Sequence, residues 1–149
     1  MNLKIRKAEK SDFNRINELF IEMLQTIYNT DDVNGYEEGY LDRFFDSGEE
    51  WISLAVDENE IVAFLSIEVH HEDREYIYLD DFSVTKSYRN KAIGTMLINN
   101  AEEYAKKINI NSICLHVEKS NELAYRFYER LGYRVFDDQG ERYLMVKDL

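Results

Sequence analysis

The chain has 149 residues, 44% of them hydrophobic and 13% aromatic, which matches one globular domain and excludes wholesale disorder. Its 18 Lys and Arg face 30 Asp and Glu, a formal net charge of -12; nucleic acid, which needs a basic footprint, is not an expected partner. The acidic balance favours a cationic partner or serves solubility alone. The one cysteine, Cys114, leaves no internal disulfide, and no Cys/His cluster has zinc-ligand spacing, so no metal is expected. The opening MNLKIRKAEKSD lacks the apolar stretch of a signal peptide, and no apolar run approaches the ~20 residues of a membrane helix. A soluble cytoplasmic domain without a membrane partner is the expectation.

No proline, linker, repeat or low-complexity tract interrupts residues 1–149, so one domain is expected. Asn2 to Arg6 reads as a strand. Ser11-Asp12 is placed to cap a helix whose apolar residues Phe13, Ile16, Leu19, Phe20, Met23, Leu24 and Ile27 follow the 3.6-residue period. After the polar stretch Asn29 to Gly35, Tyr36, Tyr40, Leu41, Phe44 and Phe45 predict a second helix. Trp51 to Val56 and Ile61 to Val69 are strand-like and joined by a tight hairpin, and Tyr76 to Thr85 is a third run. Beyond the loop Lys86 to Gly94, Met96, Leu97, Ala101, Tyr104, Ala105 and Ile108 mark a helix. Ser112 to Val117 is a buried strand. Asn121 to Leu131 is a helix that Gly132 ends. Tyr133 to Phe136 and Arg142 to Val146 close the chain as strands. The order β-α-α-β-β-β-α-β-α-β-β predicts an α/β fold, a mixed sheet with helices on its faces.

The segment Tyr88-Arg89-Asn90-Lys91-Ala92-Ile93-Gly94-Thr95 lies between a predicted strand and a predicted helix. Ala92 and Gly94 are small enough for backbone N–H groups to approach a ligand. The helix start adds unpaired donors and the positive end of its dipole, and Arg89 and Lys91 add charge. Such a loop suits a phosphate; it also suits a solvated strand-to-helix turn.

This stretch resembles the pyrophosphate-binding loop of the GNAT superfamily of acyl-CoA-dependent N-acyltransferases, Arg/Gln-x-x-Gly-x-Gly/Ala, in the form Arg89-x-x-Ala92-x-Gly94. Leu79-Asp80-Asp81-Phe82-Ser83-Val84 is similar to the strand that leads into that loop. Asn121-x-x-Ala124-x-x-Phe127-Tyr128-x-x-Leu131-Gly132-Tyr133 resembles the family's second motif, and Ile5-Arg6-x-Ala8-x-x-x-Asp12 its opening. Ala92 departs from the pattern: its methyl fits if the backbone keeps a negative φ, and otherwise crowds the diphosphate.

The resemblance implies acetyl-CoA as cosubstrate, held by Phe82, Ser83 and Val84, by Arg89, Asn90, Lys91, Ala92, Ile93, Gly94 and Thr95, and by Asn121 and Tyr128. It implies that the peptide groups of Phe82 and Val84 pair with the pantetheine arm and that the Tyr128 hydroxyl assists the departing thiolate. Tyr128 also reads as a core aromatic, Phe127 as packing, and Asn121 as an N-cap. For a general base the candidates are Glu68, Asp80 and Asp81; as neighbours in a strand, Asp80 and Asp81 face opposite ways unless a bulge intervenes. His70-His71 reads as a hairpin tip, His116 as a satisfied buried histidine, and Cys114 as a core residue or a thiol nucleophile.

The expected function is direct transfer of an acetyl group to a primary amine, a small cationic amine or a lysine or N-terminal amine. The acids Asp31, Asp32, Glu37, Glu38 and Asp42 favour a cationic acceptor, in a pocket built by residues 27–45, 70–75 and the tail beyond Phe136. A homodimer is one assembly in view. The alternative is a non-catalytic CoA-binding or regulatory module on the same fold.

Overall fold

The computed structural model describes residues Met1 to Leu149. The strands are β1 (Leu3–Lys7), β2 (Trp51–Asp57), β3 (Glu60–His70), β4 (Tyr76–Val84), β5 (Ser112–Glu118), β6 (Arg134–Asp138) and β7 (Arg142–Asp148). The helices are α1 (Phe13–Tyr28), α2 (Asp42–Asp46), α3 (Ile93–Lys107) and α4 (Glu122–Arg130), with single 3-10 turns at Lys10–Asp12 and Lys86–Tyr88. Seven strands make one sheet in the order β1-β2-β3-β4-β5-β7-β6. Only β4 and β5 run parallel, because α3 carries the chain back across the sheet between them.

Element order follows the sequence, with two corrections. The second helix forms only over Asp42–Asp46. Gly39, at φ +83°, turns the backbone out of the helical path, and Tyr36 leaves it to stack on Phe20 and Tyr40, with centroids 3.8 and 5.4 Å away. Aromatic spacing imitated a helical stripe there. Nor does Asp12 cap α1 with its side chain. Its carboxylate instead accepts from the Glu9 N–H at 2.7 Å and the Arg6 guanidinium at 2.8 Å.

Both faces of the sheet are covered, which explains why β2 and most of β3 are apolar without alternation. On one face Leu65, Ile67, Ile77 and Leu79 pack with Leu97, Ile98 and Ala101 of α3. On the other, Ile16 and Leu19 of α1 and Phe44 of α2 cover Ile52, Leu54 and Phe64. Each such side chain contributes about 1.5–3 kcal/mol by burial.

The middle of β4 departs from regular pairing twice. Leu65 pairs with Phe82 but Ile67 pairs with Leu79, so Asp80 and Asp81 together oppose Ser66. This is a β-bulge. On its other side β4 pairs with β5 only over Ile77–Leu79 and then diverges. Beyond Leu79 the sheet opens between the two strands.

A buried polar link ties α3 to the end of the sheet. Glu102, 8% exposed, accepts from Lys147 Nζ at 2.9 Å and from the Tyr133 hydroxyl at 3.0 Å. Removing the cation leaves a buried carboxylate without its main partner. Lys147→Met is therefore expected to lower unfolding free energy by about 2–4 kcal/mol at neutral pH; chemical denaturation with an unchanged midpoint would show that the pair contributes nothing.

Candidate active site

A cleft of about 430 Å³ opens on the α3 side of the divergence, between Phe82 and Val84 of β4, the loop Tyr88 to Ala92, the start of α3, and Phe127 and Arg130 of α4. Thr85 N–H donates to the Val62 carbonyl on β3. By strand alternation the peptide groups of Val84 and Phe82 point the other way, to the unpaired edge. The Val84 carbonyl there accepts from Arg89 Nε at 2.9 Å.

Arg89 is thus committed to the loop itself. Its guanidinium also meets Glu22 of α1 at 3.3 Å. The same carboxylate takes Thr85 Oγ1 at 2.8 Å and Lys86 N–H at 3.1 Å. Three contacts from one acid fix the strand-to-helix turn. Arg130, which sequence reasoning missed, lines the cleft and belongs to none of the ion pairs of the chain. Lys91 is exposed and outside the lining. Ser83 is turned to the opposite face, where its buried hydroxyl donates to the Leu19 carbonyl at 3.1 Å.

At the loop's end the backbone N–H groups of Ile93, Gly94 and Thr95 start α3 and have no intrahelical partner. A Cβ on Gly94 would lie 2.9 Å from Phe82 Cζ and 3.3 Å from Phe127 Cζ. Glycine is required by that close approach. Ala92 sits at φ +63°, so the expected negative φ does not hold, and the position has the geometry that favours glycine.

Asn121 caps α4: its Oδ1 accepts from Ala124 N–H at 3.2 Å. Phe127, read from the sequence as packing, lines the cleft. Tyr128 lies beside it, between the Phe127 and Tyr133 rings. Burial raises the Tyr128 phenol above its ordinary range, so it is protonated at neutral pH.

On the α1 side the bulge places both Asp80 and Asp81 on one face. Phe82 and Val84 pack on the α3 side like Ile77 and Leu79, so the alternation shifts by one residue between them. Tyr36, read as part of a helix, reaches across 45 residues to donate its hydroxyl to Asp81 at 2.5 Å. The backbone N–H of Tyr36 is held by Asn17 at 2.7 Å. The signal that separates it from a helical stripe is Gly39, three residues on.

Glu68 completes the group. Its carboxylate meets His70 Nε2 at 3.0 Å and the Arg43 guanidinium at 3.9 Å. Burial pushes the Asp80 carboxyl up to about 7, with the neighbouring charges of Asp81 and Glu68 adding to it. Asp81 is also raised by burial, an effect the Tyr36 hydrogen bond opposes. Cys114 is pushed up to about 11 by burial, which keeps it a thiol at neutral pH. His116 is satisfied by the Tyr78 hydroxyl at 2.7 Å and Gln139 at 2.8 Å. Glu38 and Asp42 face a separate hollow beside Phe13 and Phe45.

A raised carboxyl stabilises the fold below its unfolded pKa of 3.8, and that contribution is lost as pH rises through the folded value near 7. Asp80→Asn is therefore expected to be more stable than the parent at pH 8 by about 1–3 kcal/mol, allowing for solvent screening, and nearly equal to it at pH 4. Thermal unfolding at the two pH values checks this; an equal difference at both would place the Asp80 titration outside this window.

Comparison with known proteins matches the family model "Acetyltransferase (GNAT) family" over residues 15–133. An uncharacterised N-acetyltransferase of Methanocaldococcus jannaschii is 30% identical, over 96% of this chain and 90% of that protein. Two further curated relatives are spanned over only 55% and 27% of their lengths. Among solved structures, PaiA N-acetyltransferase of Thermoplasma acidophilum in complex with coenzyme A superposes with a TM-score of 0.84 at 22% identity, covering all of both chains. Naa50 of Arabidopsis thaliana in complex with a CoA-peptide bisubstrate analogue gives 0.78 at 21%, again over both chains in full. With the loop, the opened sheet and the family match agreeing over most of its length, the chain belongs to the GNAT family of acetyltransferases.

Proposed function

We propose that this protein transfers the acetyl group of acetyl-CoA to a primary amine by direct attack, with the cosubstrate in the α3-side cleft and the amine on the α1 side. The observation that carries the reading is the opening between β4 and β5: it connects an anion-suited helix start with a face bearing three carboxylates. The α3 N–H groups and Arg130 hold the diphosphate, and the Phe82 and Val84 edge pairs with the pantetheine arm as an added strand does. Two relatives solved with CoA or its conjugate support the cosubstrate.

Asp80 is the general base in this reading. Asp81 is engaged by Tyr36, and Glu68 by His70 and Arg43; Asp80 alone lacks a dedicated donor and titrates near neutrality. The amine arrives as an ammonium attracted by the carboxylates, and Asp80 takes its proton. The nitrogen forms the C–N bond, the C–S bond breaks, and Tyr128 protonates the departing sulfur. A backbone N–H on the Phe82–Val84 edge steadies the carbonyl oxygen.

Following thiol release from acetyl-CoA over a panel of primary amines tests this. The acidic limb of kcat/KM is expected to rise with a midpoint near pH 7, because Asp80 accepts a proton only when ionised. Asp80→Asn should flatten that limb and lower kcat by ~10²–10⁴-fold, and Tyr128→Phe should lower kcat with acetyl-CoA affinity retained. An unaltered limb in Asp80→Asn removes it as base.

The second reading, a CoA-binding module without turnover, is favoured by one observation, the Ala92 methyl at φ +63° in the loop. Ala92→Gly is expected to raise stability by about 1 kcal/mol, because L side chains are strained there, and to tighten CoA binding several-fold in calorimetry. Unchanged affinity would show that the methyl does not crowd the ligand.

A further inference from the structure

We infer that the acceptor is an amino carboxylate with an apolar body, held in a second pocket by Ser112 and Arg74 at the end remote from its amine. The inference rests on the reading of the carboxylate face as the amine site.

A pocket of about 460 Å³ lies on the α1 side of the sheet, where neither α1 nor α2 covers it. Its floor is built by cross-strand rows. Glu68, Tyr78, Cys114 and Val146 stand in register across β3, β4, β5 and β7. Glu68 belongs both to this floor and to the acidic group at the bulge. Asp80 is the next residue on the same face of β4 beyond Tyr78, at the point where β4 and β5 separate. The pocket therefore runs up to the opening through which the thioester would be reached.

Its chemistry changes along its length. The acidic end is Glu68 and Asp80. The middle is apolar, with Tyr78, Phe136, Leu144 and Val146. At the far end is Ser112, only 6% exposed, whose hydroxyl lines the pocket and has no hydrogen-bond partner. A buried hydroxyl left unpaired is unfavourable, and a ligand acceptor atom would satisfy it. Arg74, from the β3–β4 connection, crosses the same end with its guanidinium 5.7 Å from the Phe136 ring centroid. It takes part in none of the ion pairs of the chain. A hydroxyl donor beside an uncompensated guanidinium suits a carboxylate. It repels a second ammonium, which separates this class from diamines.

Length follows from the strand. Asp80 and Tyr76, beside Ser112, are four residues apart, about 13 Å at ~3.3 Å per residue. Subtracting ~3 Å for a hydrogen bond at one or both ends leaves roughly 7–10 Å between amine nitrogen and carboxylate carbon. An α-amino acid is too short; an ω-amino acid of six to eight carbons or a short peptide fits.

Calorimetric binding in the presence of CoA separates the classes without requiring turnover. The probes are 6-aminohexanoate, hexylamine and 1,6-diaminohexane, matched in length and differing only in the distal group. The expected result is tightest binding by 6-aminohexanoate, weakened at least 10-fold in Arg74→Gln and several-fold in Ser112→Ala, with hexylamine unaffected by either. Arg74 is exposed and Ser112→Ala removes an unpaired hydroxyl, so both variants should keep the parent's unfolding midpoint. Equal or tighter binding of the diamine, no binding of 6-aminohexanoate, or indifference to Arg74→Gln would each overturn the inference. Binding as expected with no acetylated product would instead overturn the proposed reaction and leave the recognition of the amino carboxylate standing.

Discussion

The arrangement of the site depends on one irregular strand. A regular β4 would send Asp80 and Asp81 to opposite faces and would stay paired with β5 along its length. The extra residue opposite Ser66 turns both carboxylates to the α1 face and returns Phe82 and Val84 to the α3 side. The same stretch leaves β5 after Leu79. The divergence exposes peptide groups that a sheet would otherwise consume. Two cores, one on each face, hold the rest of the sheet while this gap is kept open.

Charge is used locally, against the background of -12. Most acids are solvated, but the three at the bulge are gathered under Tyr36, Tyr40 and Arg43, and burial is the largest influence on Asp80 and Asp81. Partners then differentiate them: a phenol for Asp81, a guanidinium and an imidazole for Glu68. Crowded, partly buried carboxylates oppose folding near neutral pH, a common condition of sites shaped for proton transfer. On the cleft side, cations are divided by task. Arg89 and Glu22 build the turn, and Arg130 is left free.

What sequence determined is what short-range physics determines. Element order followed from apolar periodicity, and the small-residue loop, the Asn121 cap and the Gly132 stop followed from local backbone requirements. Such signals lie within a few residues of one another. The Tyr36 to Phe45 stretch misled for the same reason, since aromatics bound for a cluster carried helical spacing.

Tertiary structure alone decided which groups meet. No local rule announces that Asp80 and Asp81 share a face, because the bulge arises from how β4 satisfies β3 on one edge and abandons β5 on the other. Arg89 could be matched to a motif, yet its commitment to Val84 and Glu22 depends on where α1 packs. Tyr36 and Asp81 are 45 residues apart, and Arg74 reaches Phe136 from another strand connection. Pairings of that kind are fixed by long-range packing and desolvation, which a linear pattern does not encode.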